Sequence, residues 1–277
     1  MAGKLAVHVA PEANPQSVED LIFAIANEDK VFGSVGDLLA FADERGISSR
    51  TEIQSMAVLM GLLTVESSGI GLSPLGAAFT NLKESLRGDI FHFLLYTGWN
   101  EAKADEALPS WAYRRCCDAY WTAQSIELSS DYLDRQVSEI ISEAELSLAS
   151  QLSVTEGVSF SRKSLRGVLK WLEALRPPVI DAGVFNRRDF CVPELILLAL
   201  GYVMRDELDA IDIDILLSHS RRDDICRVCL LDPNAFDQAL NWAISMYPTI
   251  IVSSEEAGFY GRYVRLLKRP ALEDFLR

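Results

Sequence analysis

The 277-residue chain is 49% apolar and 24% charged, which excludes a disordered or low-complexity protein and allows roughly two domains of ordinary size. Its net charge of −14 is uneven: residues 1–150 hold 10 Lys and Arg against 22 Asp and Glu, and residues 151–277 hold 16 against 18. The first half is therefore a poor nucleic-acid surface, and a positive patch is expected only in the second.

Apolar runs such as residues 195–203 are too short to cross a bilayer. Residues 1–15 lack the charged start, apolar stretch and small-residue site of a signal peptide. The five cysteines are an odd count without a secretory signal, which reads as reduced thiols. A cytoplasmic protein without a membrane span is the expectation.

Along the chain, residues 1–15 show little period. Ser17 is expected to open a helix with Leu21, Ile22, Ile25 and Ala26 inside. A second helix is predicted over 34–45, ended by Gly46. A third starts at Ser48 or Ser49, with Ile53, Met56, Ala57, Leu59 and Met60 on one face. Residues 61–66 and 70–72 then read as a hairpin around Ser67-Ser68-Gly69. Ser73 and Pro74 supply the cap and first position of a fourth helix.

Three helices, a hairpin and a closing helix are the order of a winged helix. The phrase GLLTVESSGIGLSPLGAAF resembles the hairpin of many prokaryotic winged-helix proteins, a superfamily-level likeness covering about residues 17–82. Helices are predicted next over 87–96, 109–121 and 129–149, in a stretch holding Trp99, Trp111 and Trp121. This reads as a helical connector or assembly bundle.

The helix-then-hairpin order recurs twice. A helix over 161–176 precedes strands at 177–180 and 184–192, and a helix opens at Pro193. A helix over 233–246 precedes a strand at 249–252, a turn at 253–258 and a return at 259–267, and Pro270 opens the last helix. Leu169, Trp171 and Pro177 match Leu240, Trp242 and Pro248. The expected fold is mainly α with short β-hairpins: tandem winged-helix-like units joined by a helical middle. Its divisions are 1–84, an 85–157 connector, and a 158–277 region of one or two units.

Candidate chemistry is sparse. Cys226 and Cys229 form a C-x-x-C that Cys191 and His219 could complete for zinc, but one pair inside a predicted helix over 215–231 reads better as core. His8 falls in the unstructured start, His92 on an apolar helix face, and His219 between two serines, without a nucleophile elbow. No phosphate-binding glycine loop is present. Asp209, Asp212 and Asp214 lack a basic partner in the string and read as a solvated face or a cap. No catalytic residue, cofactor or metal is expected.

The basic residues point elsewhere. Arg162, Lys163, Arg166 and Lys170 share one face of the helix in the recognition position. Arg187 and Arg188 would lie on its wing, and Arg262, Arg265 and Lys268 on or just after the return strand of the third. Arg262 and Arg265 would point to opposite faces of that strand. The helix over 51–60 has Glu52 and no Lys or Arg, so it suits protein better than DNA.

Two readings follow. One is a non-enzymatic DNA-binding protein that meets duplex DNA through its C-terminal half. The other is an assembly subunit that binds a partner protein, or a second copy, through its acidic N-terminal half and helical middle. The runs FHFLLYTGWNEAKADEALPSWAYRRCCDAYW and GRYVRLLKRPALEDFL resemble winged-helix proteins encoded beside antiphage or mobile-element systems. That resemblance implies a prokaryotic genome-defence setting.

Overall fold

The computed structural model describes residues 5–148, 152, 157–207, 211–258 and 261–275. It is mainly helical, with small sheets of two or three strands. Residues 5–6 form β1 (Leu5–Ala6). Helices α1 (Pro15–Glu28), α2 (Val35–Glu44) and α3 (Thr51–Leu59) follow, then the hairpin β2 (Leu63–Glu66) and β3 (Gly69–Leu72). Asn14, rather than Ser17, caps α1 by accepting from the Ser17 amide. Between α1 and α2 the chain pairs with the hairpin at one residue, where Phe32 and Ile70 exchange backbone bonds of 2.9 and 2.7 Å. Gly69 permits this approach: its φ is +129°, and a Cβ there would lie 2.3 Å from the Phe32 carbonyl oxygen.

Ser73 caps α4 (Pro74–Thr80) as its sequence predicts, and α5 (Glu84–Thr97) follows. Helix α6 (Ala104–Ala123) then begins a second copy of the first pattern. After it come β4 (Ser125–Glu127), α7 (Ser130–Ser147), β5 (Val158–Ser159), α8 (Arg162–Leu172) and the hairpin β6 (Ile180–Asp181) and β7 (Val184–Asn186). The strand order is β4-β7-β6, antiparallel throughout.

A third copy consists of α9 (Pro193–Val203), β8 (Asp214–Leu217), α10 (His219–Cys229), α11 (Phe236–Met246), and the hairpin β9 (Ile251–Gly258) and β10 (Gly261–Leu266). Its strand order is β8-β10-β9. Among the described residues the order helix, strand, helix, helix, hairpin thus describes the third copy and, with β5 added between α7 and α8, the second; in all three copies the hairpin's return strand lies in the middle. In the first copy the edge strand shrinks to the Phe32 bridge.

This topology revises three sequence expectations. The boundary at 157/158 cuts through one unit, because β4 of the supposed connector pairs with β7. The helix expected over 215–231 starts at His219; Ile215 to Leu217 instead alternate in burial and pair with β10, and Ser218 caps the helix. The last hairpin is longer than expected, with β9 reaching Gly258, and residues 259–260 of the expected return strand lie outside the described residues.

The units share one core rather than sitting as beads. Helix α5 packs on α6, α8, α9 and α10. Helix α9 is buried from Pro193 to Gly201 on every side, as its nearly all-apolar sequence requires, and its one acid, Glu194, accepts from the Tyr247 hydroxyl. Among the described residues no helix is long and apolar enough to cross a membrane.

Candidate interaction surface

The face of α8 expected to meet DNA is largely held by the chain itself. Ser161 caps the helix, and Leu165, Val168 and Leu172 fix its buried side. The cations then project outward, but not freely. Arg162 pairs with Asp134 of α7 and also donates to the Ser130 carbonyl at 3.1 Å. Lys163 lies 2.9 Å from Glu12, and Lys170 donates to the Pro11 carbonyl at 3.1 Å. Hydrogen bonds from Arg162 and Lys163 hold the Asp134 and Glu12 carboxyls below their ordinary range. Arg166 is exposed.

The covering element is the N-terminal segment, which the sequence suggested would be unstructured. β1 pairs in parallel with β5, and the Val7 amide donates to Ser159 at 3.0 Å. His8 Nδ1 is 2.6 Å from Ser164 Oγ. One residue pair further on, Gly167 lets the backbone press against α8: a Cβ there would lie 2.1 Å from the Val9 carbonyl oxygen.

The expected wing of this unit is not a cationic edge. Arg188 is 3% exposed, so it is no DNA contact. It donates to Asp89 at 2.6 Å and to the Cys229 carbonyl at 2.7 Å. Arg187 donates to the Trp121 carbonyl at 2.6 Å, and its guanidinium stacks 4.1 Å from the Trp121 ring centre. In the third unit Arg265 reaches Asp214 with two bonds of 3.1 Å and Asp212 at 3.7 Å. Those two carboxylates therefore do have a basic partner, supplied by the facing strand β10; Asp209 lies outside the described residues. Lys268 pairs with Asp274, and Arg262 lies 4.0 Å from Asp237.

The other two third helices carry no cation at all. Helix α3 reads TEIQSMAVL, and its outer side faces a groove whose charged residues are Glu66, Lys103, Asp105 and Glu106. Helix α11 reads FDQALNWAISM and leaves Trp242 45% and Met246 49% exposed. Phe190 meets the Trp242 ring edge-on at 5.2 Å.

Comparison of α8 with α11 gives that exposure meaning. Leu165, Val168 and Leu172 are buried in one helix as Phe236, Ala239 and Ala243 are in the other. The same register sets Trp171 opposite Trp242. Trp171 is 1% exposed, with Phe91 of α5 edge-on at 5.5 Å. The equivalent position on α11 has no such helix over it among the described residues.

The cysteines form no metal set. Cys191, Cys226 and Cys229 are buried beside one another, and burial pushes the Cys226 and Cys229 thiols upward. His219 is exposed at the start of α10, away from them. Among the described residues no group of three or more His, Cys, Asp or Glu side chains is placed to hold a metal. No known protein family, curated protein or solved structure matches the chain.

Proposed function

We propose that this protein is a non-enzymatic protein-binding subunit, built from three winged-helix-like units fused around one core. The element order and the central return strand of each unit support the winged-helix reading. The observation that carries the function is the uncovered Trp242 on α11, set against its covered counterpart Trp171. An exposed Trp flanked by Met246 and Phe190 is the kind of anchor that dominates protein interfaces. The occupant is a partner helix presenting an aromatic or aliphatic edge, as α5 presents Phe91 to Trp171. The duplex-DNA reading is weaker: Arg188 is buried, and Arg162, Lys163, Arg265 and Lys268, though still partly exposed, each have a carboxylate beside them that lowers the local positive potential.

The test compares the wild-type protein with Trp242→Asp in recovery of partners from the native host, beside anisotropy titrations on duplex DNA at low salt. Trp242→Asp is expected to lose a stoichiometric protein partner while its melting midpoint stays close to wild type. A salt-sensitive duplex complex that Arg166→Ala weakens, with no partner lost in Trp242→Asp, would restore the DNA reading.

A further inference from the structure

A second surface stands apart from α11 and does not depend on the reading above. Where α5 ends, its following loop, the middle of α6 and the end of α9 enclose a cleft of about 710 Å³. Its walls include Trp99, Trp111, Tyr202, Arg114, Arg115 and Arg205. That volume lies in the range of small-molecule sites. In a chain of net charge −14, three guanidiniums in one concavity are unexpected.

The arginines are set in place by rings. Arg115 lies over Trp111 at 5.6 Å, Arg205 over Tyr202 at 4.3 Å, and Arg114 over Tyr96 at 5.4 Å. Arg114 also donates to the Tyr202 hydroxyl at 3.1 Å. Their carboxylate neighbours are Asp118 at 3.9 Å, Glu143 at 3.0 Å and Asp206 at 3.8 Å. None of these three carboxylates lines the cleft, where Glu101 is the acidic residue. The side chains of Arg114, Arg115 and Arg205 remain 35–45% exposed. Here the guanidiniums line a hollow with aromatic walls.

Planar guanidinium forks match phosphate oxygens two at a time. An indole such as that of half-buried Trp99 offers a flat platform to a heteroaromatic ring. We infer that the cleft between α5, α6 and α9 binds a nucleotide, its phosphate on Arg115 and Arg205 and its base against Trp99. The nucleotide is either free or the terminal residue of a single strand, since both present the same chemistry.

Calorimetric titration of the full-length protein with adenosine monophosphate, a short terminally phosphorylated oligothymidylate and inorganic phosphate decides this. At least one of the first two is expected to bind, and more tightly than phosphate. Binding of the mononucleotide alone assigns a free ligand; binding of the oligothymidylate alone assigns a strand end. Arg115→Ala with Arg205→Ala is expected to weaken binding by roughly ten-fold or more, and Trp99→Leu by several-fold for nucleotide but not for phosphate. Arg205→Lys keeps the charge without the fork, and its intermediate affinity guards against loss through misfolding. The inference is overturned if neither nucleotide probe binds, if phosphate binds as tightly as either, or if folded variants bind like wild type.

Discussion

His92 shows how one buried side chain fixes its own protonation. Its Nε2 lies 2.7 Å from the Val228 carbonyl oxygen, which can only accept, so Nε2 carries the proton. Nδ1 then accepts from the Tyr113 hydroxyl at 2.8 Å. Burial, with Arg188 nearby, lowers the pKa of His92 from 6.5 to about 3. The unfolded chain therefore binds a proton between these values that the folded chain refuses. Stability from this residue is complete above pH 6.5 and is lost as pH falls toward 3, by up to ~1.4 kcal/mol per pH unit. His92→Gln keeps a donor and an acceptor but does not titrate. Urea unfolding of both proteins across this window is expected to show wild type falling relative to the variant. Parallel curves would mean that His92 is not the group responsible. The sequence placed His92 on an apolar helix face and stopped there, because its carbonyl partner is 136 positions away.

At the scale of elements, the helices and hairpins with strong local signals were legible. Ser34, Ser73 and Ser161 cap the helices they were expected to cap or begin. What went unread was short or extended. β4 has three residues and β1 two, too few for alternation to register, and each gains its meaning from a distant partner. The consequence was large. The helical middle looked like a connector because β4 was invisible, and α8 looked like an open recognition helix because the segment over it has no period. That segment depends on Gly167. Gly167→Ala would place a methyl against the Val9 carbonyl oxygen, and backbone must move to admit it. The expected result is a protein that still folds but releases residues 5–14 from α8. The amides of Leu5 and Val7, bonded to Gly157 and Ser159, would then lose protection in hydrogen exchange. Unchanged protection at those two amides would show that the segment tolerates the methyl without lifting.

At the scale of the whole molecule, a buried polar junction joins α5 to the second and third copies of the repeated topology. Asp89 comes from α5, Arg188 from the loop between the second and third hairpin-bearing units, and the Cys229 carbonyl from α10. The Trp121 indole of α6 adds a 2.9 Å bond to the Leu231 carbonyl in the third unit. Burial raises the Asp89 carboxyl against the pull of Arg188. Both side chains are almost fully enclosed, at 0% and 1% exposure, so neither charge survives there alone. Arg188→Ala is therefore expected to destabilise the protein by about 3–5 kcal/mol, the range for orphaning a buried charge. Asp89→Leu combined with Arg188→Met removes both charges and is expected to recover most of that loss. Because the junction ties α5 to the second and third units, and all three units share one core, the loss should appear in every probe together. Far-ultraviolet circular dichroism and tryptophan fluorescence are expected to trace one coincident unfolding transition in wild type, and to shift together in Arg188→Ala. Separation of the two probes, with only one of them moved by Arg188→Ala, would mean that the units unfold independently and that the junction merely joins neighbours.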